Sequence, residues 1–356
     1  MTLHKKGSKR GQRAVTLKDV ASHLGVAVGT VSAVLNESPA SRSIPPITKN
    51  RIVAAARELN YRPNLVARSL RVKRTFTIGI IAEQIGDTYS SRIISGIEPY
   101  LRKNGYFFLV VAHRCDPKLL ESYSHLVWQR GAEGYITIDT PLTQPLPLPT
   151  VAVPGHHRID GVTNMVLDHD RAALLALQHL ISLGHRNIAV MRGPLNSSDS
   201  VDRYEGICRA ARDLHVRIPP ELTIQLESDA ATSPENINPY MEEFLSRKVP
   251  FTALFAYHDN CAIGAIHMLL ESGLRVPEDV SIVGFDDMPG ASCCNPTLTT
   301  VRQPLERMGE IAARTLLNRI DNHEECIPEI VIEPEFVVRR STGRAPLGLS
   351  KKMASD

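Results

Sequence analysis

No stretch of this 356-residue chain approaches the roughly 18 consecutive apolar residues that a membrane span requires. The polar, basic start from Met1 to Arg13 has no apolar run or small-residue cleavage site behind it, which argues against a secretory signal. The six cysteines (Cys115, Cys208, Cys261, Cys293, Cys294, Cys326) lie far apart except for one adjacent pair, so they form neither a disulfide framework nor a C-x-x-C metal motif. These absences point to a cytoplasmic protein with reduced thiols and no membrane partner. Nucleotide loops are missing too: no G-x-G-x-x-G follows the first apolar run, whose Gly79 is isolated, and G-x-x-x-x-G-K-[ST] does not occur. The histidine pair His156-His157 has no spaced Cys, His or carboxylate partners, and Cys293-Cys294 has no histidine nearby in sequence. Neither a metal, a cofactor nor a catalytic nucleophile is expected, and the chain does not read as an enzyme.

Aromatic residues are scarce at 5%, but 43% of the chain is hydrophobic, which leaves ample aliphatic material for packed cores. At about 150 residues per domain the length predicts two or three domains. The net charge of +3 conceals a strong asymmetry: residues 1–76 hold 15 Lys and Arg against Asp19, Glu37 and Glu58, a balance of +12, which leaves −9 on the remainder. A basic head on an acidic body suits a polyanionic partner, nucleic acid above all. A solvated basic tail is the other reading of the charge alone.

Residues 1–13 lack periodicity and read as a disordered basic arm. Helical spacing begins after Thr16, which with Asp19 three residues on can cap a helix carrying Leu17, Val20, Ala21 and Leu24 on one face. Gly25 stops it, and a second helix from Ala27 to about Leu35 follows within a few residues, the pattern of a helix-turn-helix. Beyond a Ser- and Pro-rich loop, Thr48 is the expected cap of a third helix, Lys49 to Asn60, whose Ile52, Val53, Ala56 and Leu59 close a three-helix core. Leu65 to Arg71 has helical spacing but few apolar partners and is too short to be stable alone.

From Thr77 apolar runs alternate with amphipathic helices. The expected strands are Ile78–Ala82, Phe107–Ala112, Gly134–Ile138, Val151–Val153, Ile188–Met191, Leu254–Tyr257 and Ser281–Phe285. The helices between them are Ser90–Asn104, Lys118–Arg130, Arg171–Leu183, Arg203–Leu214 and Ala262–Ser272. Strict alternation implies parallel sheets covered on both faces, and the length suffices for two.

Val15-Thr16-Leu17-Lys18-Asp19-Val20-Ala21, Gly25-Val26, Thr30-Val31-Ser32, Leu35-Asn36, Tyr61-Arg62-Pro63-Asn64 and Ala67-Arg68-Ser69-Leu70 resemble the DNA-binding head of the LacI/GalR family of bacterial transcription regulators. Leu183-Gly184-His185, Val276-Pro277-Glu278-Asp279-Val280-Ser281, Val283-Gly284-Phe285-Asp286-Asp287 and Leu298-Thr299-Thr300-Val301-Arg302-Gln303-Pro304 resemble that family's effector-binding core. The similarity runs from about residue 15 to 342. It implies an α/β architecture: a three-helix helix-turn-helix domain (14–62), a hinge helix and linker (63–74), and a two-lobed, periplasmic-binding-protein-like core of two doubly wound parallel sheets (75–342), with a disordered tail (343–356). One lobe is expected to take Thr77 to about Leu167 and Val301 to Asn322. The other takes Asp168 to Thr300 and Ile330 to Thr342.

The resemblance further implies a homodimeric repressor of double-stranded operator DNA, modulated by a small-molecule effector, a sugar or sugar derivative, between the lobes. Thr16, Ala27, Val28, Gly29, Thr30, Ser32, Ala33, Asn36 and Asn64 fall at the family's DNA-contacting positions. In the hinge, Leu70 would be a wedge in the minor groove, with Arg68 and Arg71 supplying positive charge. Val28, Gly29 and Ala33 lack the bidentate donors that discriminate guanine or adenine, which leaves thymine-methyl contacts and DNA deformability as sources of specificity. For the effector, the implied contacts are Tyr89 and Ser90 after the first strand, Asp139 after the third, Arg203 at a helix start, His258 after a strand and Asp286 after another. Departures occur at Tyr89, Pro154, Ala230 and His258, and they blur the effector's identity. An effector-blind regulator is one alternative. The other is a solute-binding protein of similar lobes, which would have a signal sequence and no need of a basic head.

Overall fold

The computed structural model describes residues 15–36, 38–62, 69–70, 72–155, 157–195, 197–227 and 233–346. The expected basic arm, Asn64, Arg68, Arg71, His156, Ala230 and the tail from residue 347 lie outside the described residues. The chain divides into two compact units, through Thr75 and from Phe76.

In the first unit, α1 (Leu17–Leu24) opens with the expected reciprocal cap, Thr16 accepting from the Asp19 backbone and the Asp19 carboxylate accepting from the Thr16 N–H at 2.7 Å. Gly25 ends it in the left-handed region, at φ 66°. Helix α2 (Val28–Leu35) follows, and α3 is Pro46–Glu58 rather than Lys49–Asn60. Pro46 at the first helical position needs no N–H partner and presets φ, so it starts the helix, and Thr48 lies inside rather than at the cap. Val20, Ala21, Val31, Val34, Ile52, Ala55 and Ala56 bury against one another as the core of the three helices.

The second unit holds two sheets. The first is ordered β11 (Glu329–Ile332), β5 (Val162–Leu167), β4 (Thr150–Val153), β3 (Gly134–Ile138), β1 (Thr77–Ala82), β2 (Phe107–Ala112), and every pair in it is parallel. The two-residue period of β1 explains its two covered faces. Ile78, Ile80 and Ala82 point to α4 (Thr88–Lys103) and α11 (Leu305–Asp321), while Ile81 packs with Val127 of α5 (Pro117–Gln129).

The second sheet is ordered β12 (Glu335–Val337), β10 (Thr299–Arg302), β9 (Ser281–Asp286), β8 (Ala253–Phe255), β6 (Ile188–Arg192), β7 (Thr223–Gln225). It is parallel except for β12, which pairs antiparallel with β10. On one face Ile188, Val190, Phe255 and Phe285 meet α6 (His169–Ser182) and α7 (Ser198–Asp213). On the other, Met191, Leu254 and Ile282 meet α8 (Asn238–Ser246), α9 (Asp259–Glu271) and α10 (Pro289–Cys293).

The chain passes between the lobes at 167–169, 302–305 and 332–335. Two assignments therefore change. Val301 and Arg302 belong to β10 in the second lobe, and Ile330 to Ile332 pair with β5 in the first. Glu329 and the half-exposed edge of β11 gave this strand a weak apolar signature, so its lobe was not legible from hydrophobic pattern. Among the described residues no helix is long and apolar enough to cross a membrane.

Candidate effector cleft and DNA-reading surface

Parallel strands bring their carboxyl ends to one edge, and side chains just beyond those ends face the space between the lobes. Asp87 caps α4 by accepting from the Ser90 N–H at 2.7 Å, which fixes the turn after β1 and sets Tyr89 and Ser90 in the helix's first turn. Ser90 is buried. Tyr89 keeps an exposed edge, yet burial of its phenol holds the pKa well above the usual tyrosine value, reinforced by Asp199, Asp139 and Asp286 and opposed by Arg203. Tyr89, Asp139, Arg203 and Asp286 are thus brought together from both lobes. Asp139, in the left-handed region at φ 46°, also meets Glu83, whose carboxyl is raised first by burial. The Cys115 thiol donates to Glu83 at 2.9 Å and is pushed up to about 11 by burial and that carboxyl.

Arg203 is not at a helix start: α7 begins at Ser198, capped by Ser197, and places Arg203 in its second turn. There it is only 6% exposed. Its Nη1 donates to the Tyr257 carbonyl at 2.6 Å and its Nη2 to Asp199 at 2.8 Å. The guanidinium carbon lies 3.7 Å from the Phe285 ring centroid and 4.8 Å from that of Tyr257. Burial alone would lower its pKa, but Asp199, Tyr257 and Asp286 hold it above the ordinary arginine value. Among the described residues its Nε has no hydrogen-bond partner.

Asp286 ends β9 at φ 97° and accepts from Gln303 Nε2 at 2.6 Å. His258 is turned to cap α9, its Nδ1 accepting from the Cys261 N–H at 3.2 Å while its ring lies 5.2 Å from Tyr257. Sequence reasoning missed Asp199, Tyr257, Phe285 and Gln303. The spacing of Asp199 to Arg203, four residues on one helix, was the available signal for the first. Among the described residues no cluster of His, Cys, Asp and Glu is arranged to hold a metal ion.

On the first unit Ala27, Val28 and Gly29 are exposed at the start of α2, and Thr30 is half-buried. Ala27 supplies no side-chain cap. Ser32 and Ala33 are buried at 9% exposure, because the loop returns over them and the Ser38 N–H donates to the Ala33 carbonyl at 3.0 Å. Asn36 closes α2 by donating to the Ser32 carbonyl at 2.8 Å. Thr16 is engaged in the α1 cap. Leu70 is 78% exposed.

Residues 16–64 match the family model described as bacterial regulatory proteins, lacI family, and residues 177–342 match a periplasmic binding protein-like domain. The HTH-type transcriptional repressor PurR of Haemophilus influenzae is 33% identical over 338 residues, covering 92% of this chain and 98% of its own. The chain belongs to the lacI family. A PurR of Klebsiella pneumoniae is 32% identical over 340 residues, with 93% and 98% covered. A lac repressor dimer bound to operator and the anti-inducer ONPF superposes at TM-score 0.80 and 26% identity, covering 93% of this chain and all of that one. The regulator CelR in complex with cellobiose gives TM-score 0.67 at 28% identity over 92% and 99% of the two chains. A LacI family regulator from Enterococcus faecium with bound ribose gives 0.65 at 28% identity over 75% and 99%. These matches to a lacI-family regulator span both units, and with them the two-lobed expectation holds.

Proposed function

We propose that the chain is a homodimeric transcriptional repressor whose affinity for operator DNA is set by a small, hydroxyl-rich molecule, a sugar or sugar derivative, bound between the lobes. Residues 14–62 read the operator, 63–74 form the hinge and linker, and 75–342 bind effector and dimerise. The observation that carries this is the convergence of Tyr89, Asp139, Arg203 and Asp286 from both lobes at the carboxyl ends of the strands. Guanidinium and carboxylates so placed can donate to and accept from hydroxyl groups by charge-assisted hydrogen bonds. Ser90 and His258 complete the wall of the cleft. The relatives named as repressors and the neighbours holding cellobiose and ribose support the reading.

On DNA, Ala27, Val28, Gly29 and Thr30 face the major groove, and Thr16, Ser32, Ala33, Asn36 and Asn64 hold the family's other DNA-contacting positions. Leu70 wedges into the minor groove, with Arg68 and Arg71 supplying positive charge. The test is operator titration by fluorescence anisotropy against selected DNA, with and without cellobiose, D-ribose or a purine base. A ligand that changes operator affinity in the wild type but not in Asp286→Asn establishes the site. Unchanged DNA affinity after deletion of residues 1–74 would overturn the assignment of the head.

A further inference from the structure

Behind the cleft lies a groove of about 670 Å³ whose walls come from both lobes: Arg92 of α4 and Glu306 of α11 on one side, Asp287, Arg302 and Arg339 on the other. Asp287 presents its carboxylate there. That carboxylate is 9% exposed and held at 2.7 Å by both Arg302 Nε and Arg339 Nη2. Arg92 adds a different contact, reaching across from the first lobe to donate from Nη1 to the Asp287 backbone carbonyl at 3.0 Å. Its Nε faces Glu306 within its own lobe at 3.4 Å.

The backbone that Arg92 grips is unusual. Asp286 and Asp287 occupy the left-handed region in succession, at φ 97° and 56°, which side chains other than glycine rarely adopt. Such a turn persists only where its surroundings over-determine it. Here they do so from three directions: the two arginines on the Asp287 carboxylate, Gln303 on the Asp286 carboxylate and Asp259 accepting from the Met288 N–H at 2.6 Å. All of these belong to the second lobe or to the strand leaving it. Arg92 is the contribution from the first lobe, and it stands one helical turn beyond Tyr89 on the same helix.

We propose that Arg92 is an inter-lobe positioning residue: its bond to the Asp287 carbonyl fixes the left-handed turn that presents Asp286 to the cleft. Closure of the lobes then sets the geometry of a binding carboxylate, and opening releases it. One face of α4 thus carries both Tyr89 and, a turn later, Arg92, which meets the turn. The lobe-to-turn coupling rests on reading the cleft as the effector site only in its consequence, because the contact itself is measurable without ligand.

The experiment is hydrogen exchange, read by mass spectrometry, on the full-length ligand-free protein. In Arg92→Ala, exchange in the segment 286–291 should rise about 10-fold, the loss expected for a charged donor on a backbone carbonyl, while α4 and α11 stay within about two-fold. Arg92→Met keeps the apolar stem and removes the donors, so it should do the same, and it serves if the alanine variant folds poorly. Glu306→Gln should leave the segment unchanged. Unaltered exchange in 286–291, a uniform rise that includes α4 and α11, or an equal effect from Glu306→Gln would each overturn the proposal. Failure of the effector reading appears separately, as absence of ligand binding in protein whose turn still responds to Arg92.

Discussion

Arg203 lies over the Phe285 ring, its guanidinium carbon 3.7 Å from the ring centroid, one residue before the Asp286 carboxylate that ends the same strand. The cation is therefore fixed by the strand that also supplies the acid. With Asp199 and the Tyr257 carbonyl taking two of its nitrogens, Arg203 serves structure as well as recognition. Arg203→Ala takes the guanidinium away from Asp199, which is 20% exposed and keeps its His169 Nε2 contact at 2.9 Å, and removes the donor to the Tyr257 carbonyl. Its removal should cost about 3 kcal/mol of core stability, as for a broken buried pair, measured by urea unfolding. A loss below about 1 kcal/mol would mean that the guanidinium is held for ligand alone.

Asp286→Asn is consequently the cleaner probe of the cleft, since Gln303 can still donate to the amide oxygen. Core stability should change little, while affinity for the ligand that shifts operator binding should fall by about 30-fold or more, read by calorimetry. Equal affinity in variant and wild type would place the ligand elsewhere.

Asp259 gives a pH prediction. Burial first, then Asp286, pushes this 1% exposed carboxyl up to about 8, against the opposing bonds from Thr300 and the Met288 N–H. The folded pKa lies above the unfolded one, so the folded state holds the proton more tightly, and the contribution present at low pH is lost as pH rises toward about 8. Between pH 6 and 8, wild type should lose stability relative to Asp259→Asn by up to about 1.4 kcal/mol per pH unit. Parallel pH profiles for the two proteins, from denaturant midpoints, would refute it.

Strand and helix alternation made both sheets legible, because β1, β6 and β9 are apolar on two faces and bounded by turns. Strands such as β7, three residues long, and β11, with an exposed valine in its middle, carry too few buried side chains to show periodicity. The cleft was legible as residue types at strand ends, yet its internal partners were not. Asp199, Tyr257 and Gln303 come from separate elements and meet only through the sheet's register. The burial of Ala33 was not legible either, because nothing local in the sequence announces that Ser38 will bond back to its carbonyl.

Helices α4 and α11 meet through glycine. A Cβ on Gly96 would strike the Glu306 carbonyl, and one on Gly309 the Ile93 carbonyl, both backbone atoms that cannot swing aside. Gly309→Ala should therefore cost about 1–3 kcal/mol through overpacking, lowering the thermal midpoint of the core although alanine is the better helix former. An unchanged or raised midpoint would show that the two helices can separate freely.

Gly29 presents the opposite case. It lies in α2 on the exposed face, and among the described residues a Cβ there would meet no atom within 4 Å beyond its chain neighbours and its own helix backbone. Nothing among the described residues of the head requires glycine, and a glycine inside a helix costs about 0.5–1 kcal/mol relative to alanine. The residue is explained if DNA comes so close to this face that a methyl group cannot fit between them. Gly29→Ala should then stabilise the head by about that amount and yet weaken operator binding by about 10-fold, the two effects having opposite signs. Because the charges of the head are untouched, the salt dependence of binding should stay the same, with log K falling by about 0.9 per neutralised phosphate in both proteins. Thermal melts of residues 14–62 and anisotropy titrations at several salt concentrations measure the three quantities. Operator affinity equal to that of the wild type would remove Gly29 from the reading surface, whatever the gain in stability.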